Sequence, residues 1–140
     1  MQLNIETGVQ SIEIVRNGEH VGDVKFSTSD PALLTRLRTV SKKAEEIQAG
    51  AKLSEKDDLD AALDEAERID KEMRDLLDWA FAAHVSDVVF GESFCFTTHG
   101  GVTLMEQFLA GIMPVVEEAF TAEAAAAKER QDKYLAKYRK

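Results

Sequence analysis

A chain of 140 residues with 44% hydrophobic and 31% charged side chains fits one domain able to bury a core, which excludes disorder as its default state. No stretch approaches the ~20 apolar residues of a membrane span, the opening MQLNIETGVQ lacks the basic and apolar regions of a secretion signal, and the single cysteine, Cys95, has no disulfide partner within the chain. The net charge of −9 argues against nucleic-acid binding by phosphate neutralisation; the charge is uneven, with six basic against three acidic side chains leaving residues 121–140 at +3 and residues 1–120 at −12.

In chain order, SIEIVRNGEHVGDVKFS alternates, with Ile12, Ile14 and Arg16 facing one way and Glu13 and Val15 the other. Asn17–Gly18 is the pair that a type I′ turn favours, because both central positions need positive φ. These signals predict a β-hairpin over about 10–27, with Gly22 as a bulge position and LNIE as a candidate short strand before it. Two strands alone are marginal in water, so the hairpin must lie on helices or pair with another chain.

Asp30 then Pro31 open a helix of about 30–49, as cap and first helical residue. Leu33, Leu34, Leu37, Val40, Ala44 and Ile47 form its apolar stripe, and Gly50 ends it. Ser54 is the candidate cap of a longer helix, about 55–88, with a stripe from Leu59 through Ala66, Ile69, Met73 and Leu77 to Phe81 and His84 or Val85. Its acids lie opposite the stripe, with Asp64–Arg68 and Glu67–Lys71 spaced to pair one turn apart. Helical spacing resumes over about 101–120, with a kink or restart expected at Pro114. Residues 121–140 form a charged helical extension in which only Tyr134, Leu135 and Tyr138 ask for burial; it projects from the domain or docks on a neighbouring subunit. The fold class is α+β and mostly α: an N-terminal β-hairpin packed on a three- to four-helix bundle, in one globular domain over 1–120.

Between the long helical patterns, VVFGESFCFTTHGGVTLMEQF holds the residues that tempt toward chemistry. Cys95 and His99, with Glu92, suggest a thiol nucleophile and base, but no glycine-flanked nucleophile motif surrounds Cys95, and Phe94 and Phe96 read as a buried insert. His20, His84 and His99 lack paired metal-ligand spacing, and His84 reads as a core or helix-end histidine. The acidic run 54–72 lacks the central glycine and alternation of a calcium loop. Gly100–Gly101 precede a helix without the Lys and Ser or Thr of a phosphate loop, so helix entry beside Thr103 explains them. No catalytic, cofactor or metal residues are assigned.

The stretch DVVFGESFCFTTHGGVTLMEQFLAGIMPVVEEAF resembles small helical proteins of bacteriophage and prophage tail modules, several of them tail assembly chaperones. The matching segments are Val89–Glu92, Gly100–Leu104 and Glu117–Phe120. Ser93 stands where that pattern has a second glycine. The resemblance implies a non-enzymatic assembly role in the host cytoplasm, with the tape measure protein and tail tube protein as partners, no cofactor, and self-association into an oligomer. Its alternatives are a structural tail or head–tail component retained in the virion, a regulatory protein that binds a partner helix through the basic tail, and a small enzyme using Cys95 and His99. Client-binding residues are expected at Met105, Phe108, Ile112, Phe120, Tyr134 and Tyr138, with Met73, Met105 and Met113 as adaptable side chains.

Overall fold

A computed structural model describes residues 1–27, 29–50 and 58–138. The order is β1 (Val9–Arg16), β2 (Glu19–Ser27), α1 (Pro31–Gly50), α2 (Leu59–Phe81), α3 (Ser86–Phe90), β3 (Thr98–His99), β4 (Val102–Thr103) and α4 (Leu104–Ala136). The protein is α+β: an N-terminal antiparallel hairpin laid on helices, with a long C-terminal helix.

The hairpin forms as its turn chemistry dictates. Asn17 and Gly18 take φ of 54° and 82°, and Arg16 pairs with Glu19. Ile14 pairs with Gly22 while Val15 pairs with His20, so Val21 is the extra residue of a bulge. Val24 and Phe26 are buried, and Ile12 and Ile14 pack on the same core at half burial. A Cβ on Gly22 would come within 2.9 Å of Val88 Cγ1, so this glycine lets the hairpin approach α3. LNIE forms no strand: residues 1–8 have no ladder partner, and Leu3 and Ile5 are exposed.

The Asp30 side chain accepts from the Ala32 amide at 2.9 Å, and α1 buries Leu33, Leu37, Val40 and Ala44. Asp58 caps α2 by accepting from the Asp60 amide at 3.0 Å; the expected cap Ser54 lies outside the described residues. The stripe of α2 buries Ala66, Ile69, Met73, Leu77, Ala80 and Phe81. Phe81 stands edge-on to Phe26 of β2 (centroids 5.4 Å) and to Phe108 of α4 (5.9 Å), which ties hairpin, α2 and α4 together. Arg36 Nε donates to the Ala80 carbonyl at 2.7 Å, joining the start of α1 to the end of α2.

Three expectations are corrected. The helix of 55–88 is two helices, because Ala82 turns left-handed (φ 54°, ψ 37°) and Asp78 holds the start of α3. Asp78 Oδ1 accepts from the amides of Val85 (2.8 Å) and Ser86 (2.7 Å), and Oδ2 accepts from Ser86 Oγ (2.9 Å). A left-handed alanine costs ~1 kcal/mol or more, which these charge-assisted bonds and the burial of Val85 offset. His84 consequently lies exposed in the connection, outside the core. In place of Asp64 and Glu67, Arg68 pairs with Glu65 and Glu72, and Lys71 with Asp75, since each cation on this face has several carboxylates within one turn that compete for it. Finally, α4 does not restart at Pro114 but runs unbroken for 33 residues. Proline removes one amide donor, and that single missing bond lies where Gly111 and Pro114 face solvent.

Candidate functional site

The corner over 88–108 is built around two side chains of α2. Arg74, only 15% exposed, pairs with Asp70 Oδ2 at 2.9 Å and Asp87 Oδ1 at 3.0 Å. It also donates to the carbonyls of Gly91 (2.8 Å) and Ser93 (2.6 Å), and its guanidinium lies 5.6 Å from the Phe90 ring centre. Asp70 Oδ1 accepts from the Cys95 amide at 2.8 Å. From the hairpin, Arg16 Nη1 donates to the Val88 carbonyl at 3.1 Å, and a Cβ on Gly91 (φ 60°) would fall 2.6 Å from it. Gly91 therefore leaves the space that Arg16 occupies.

Inside this frame Cys95 is fully buried. Burial, followed by the Asp70 carboxylate, pushes its thiol up to about 12, so it stays neutral and unreactive at physiological pH. His99 is exposed on β3 and Glu92 is exposed in the preceding turn, while Cys95 faces the core. The corner does not bring the three together at an open cleft. Gly100 and Gly101, at φ 62° and 81°, form the tight turn between β3 and β4, and Thr103 caps α4 by accepting from the Glu106 amide at 3.1 Å. The Leu104 and Met105 amides donate to the carbonyls of Thr97 (3.0 Å) and Cys95 (2.9 Å). The first donors of α4 are thus taken by the corner itself, which leaves them no bond to give an anion.

His20 is exposed and bonds Asp23 at 3.1 Å; that carboxylate raises its pKa. Among the described residues no group of three or more His, Cys, Asp or Glu side chains converges as metal ligands, and no helix is long and apolar enough to cross a membrane.

The surface offers apolar area instead. A groove of about 430 Å³ runs between β1 and α4, lined by consecutive residues Ile12–Asn17 on one side and by Leu104, Phe108, Ile112 and Val115 on the other. Consecutive strand residues line it because the backbone edge of β1 faces the groove. The second surface is the end of α4 and the turn after it, exposed throughout 121–138, where the rings of Tyr134 (61% exposed) and Tyr138 (73%) meet tilted by 56° with centroids 5.2 Å apart, beside Leu135. Of the residues expected to bind a client, Tyr134 and Tyr138 are on this free surface, Phe108 and Ile112 line the groove, and Phe120 is half-buried. Met105 is buried in the core, as is Met73, while Met113 packs partly against it. The exposed hairpin edge is a docking surface already expected from the sequence, whereas its union with α4 in one groove has no residue signature.

Comparison with protein-family models, with curated protein sequences and with solved structures finds no match to this chain.

Proposed function

We propose that this protein is a non-enzymatic assembly protein of a bacteriophage tail module, acting in the host cytoplasm as a chaperone-like binder of the tape measure protein or the tail tube protein. The observation that carries the reading is the end of α4, where an aromatic pair and Leu135 stand in solvent on a helix that has left its own core. A client helix with an apolar stripe would pack on this surface and on the β1–α4 groove, each supplying the side of an interface that the monomer leaves open. The buried, neutral Cys95 and the tightly bonded corner support structure rather than turnover as the task of residues 88–108. The resemblance of that corner to tail-module proteins supplies the class of client.

The test is co-expression of the full chain with the tape measure and tail tube proteins of its own genome, then purification through a tag on the client. Stoichiometric co-purification that weakens on Tyr134→Ser/Tyr138→Ser supports the reading. Clients that purify alone overturn it. Recovery of the chain from washed, intact particles at a fixed copy number instead assigns it to the tail structure.

A further inference from the structure

Two helices of this fold run past the core they build, and they do so at opposite poles. Gln48 near the end of α1 donates to Thr103 Oγ1 at the start of α4 (3.4 Å), and Arg36 near the start of α1 meets Ala80 near the end of α2. The start of α2, the end of α1 and the start of α4 therefore share one pole. At that pole the buried stripe of α2 begins only at Ala66; Leu59 (72% exposed) and Leu63 (49%) continue the stripe uncovered. At the other pole the buried stripe of α4 stops at Val116, and its continuation carries Tyr134 and Tyr138 into solvent. From residue 121 the helix projects for roughly 25 Å at 1.5 Å per residue.

The two overhangs are complementary in charge as well as in apolar area. Leu59–Glu67 holds four acidic side chains, Asp60, Asp64, Glu65 and Glu67, and no basic one; residues 121–140 carry +3. We infer that the C-terminal helix of one copy packs on the start of α2 in a second copy, Tyr134, Leu135 and Tyr138 against Leu59 and Leu63, with Arg130 and Lys137 toward the acids. This helix–helix contact would cover apolar surface that neither copy covers alone. A copy cannot satisfy itself this way, because its tail departs from the pole opposite its own Leu59. The contact is heterologous: a pair of copies joined by it still offers one unused tail and one unused ridge, so association continues into an open chain or closes as a ring. The tail is the same surface proposed above for a client helix, so client and second copy compete for it, and the inference goes beyond the proposed function by naming the second copy as its occupant when no client is bound.

The experiment is sedimentation velocity on the full chain from about 1 to about 200 μM, the range in which contacts of modest area register. Two variants are made at exposed positions, Tyr134→Ser/Tyr138→Ser and Leu59→Ser/Leu63→Ser, with circular dichroism confirming unchanged helix content. The wild type is expected to form concentration-dependent oligomers beyond the dimer. Each variant alone weakens association at least about tenfold, as loss of central apolar anchors does. An equimolar mixture of the two forms dimers and stops there, because one intact tail meets one intact ridge. A wild type that stays monomeric, a variant that oligomerises like the wild type, or a mixture that remains monomeric overturns the inference.

Discussion

At Arg74 one guanidinium meets α2, the start of α3 and the loop after it, through Asp70, Asp87 and the carbonyls of Gly91 and Ser93. Replacing it with methionine leaves the largely buried Asp70 carboxylate with only the Cys95 amide as partner, and the expected loss is about 3 kcal/mol in urea unfolding. Arg74→Lys keeps the charge without the planar fork and falls between the two. Cys95 gives a pH-dependent counterpart. Its thiol is held at about 12 in the folded protein against an ordinary value near 9.0, so above pH 9 the unfolded chain releases a proton that the native state keeps. The native state then binds more protons, and stability falls as pH rises from 9 toward 12, by up to about 1.4 kcal/mol per pH unit. Cys95→Ala, measured alongside, lacks this component. In the native protein at pH 8 the thiol does not react with a disulfide reagent, and it reacts once on unfolding.

Among the elements, the entry into α3 is held by one side chain of α2, Asp78. Asp78→Ala removes three hydrogen bonds that hold the α2–α3 connection and leaves Ala82 in its left-handed conformation uncompensated. About 2 kcal/mol is the expected loss, with amide exchange accelerating first over 83–90. This break also shows where sequence reasoning runs out. The hairpin was legible from Asn17–Gly18 and the alternation of Ile12 and Ile14, and α1 from Asp30–Pro31, because these residues carry their conformational preference locally. Ala82, Ala83 and His84 carry none against helix, and the stripe of α2 leads straight through them to Val85. The turn is decided by Asp78 reaching seven and eight residues ahead, which no window of periodicity reports. Asp70 is similar: it reads as one acid of the solvated run 54–72, yet tertiary partners draw it, with Arg74, into the corner.

Across the whole molecule, a body stapled by Phe26, Phe81 and Phe108 carries a helix that contributes nothing to its core after Phe120. Deleting residues 121–140 is expected to leave the stability of the body within about 0.5 kcal/mol, since every residue over 121–138 is exposed. The same deletion removes the charge asymmetry and both exposed tyrosines, so binding and self-association should be lost while folding is kept. The tail was legible in sequence as a surplus of cations and a shortage of apolar residues; the groove beside β1 was not, because it arises from how two distant elements dock. The most direct test of the account is a pull-down at about 10 μM of the tape measure and tail tube proteins of the same genome with the full chain and with residues 1–120, both shown to be folded. The full chain is expected to retain at least one of these clients and the truncated chain neither. Equal retention by both, or none by the full chain, would contradict it.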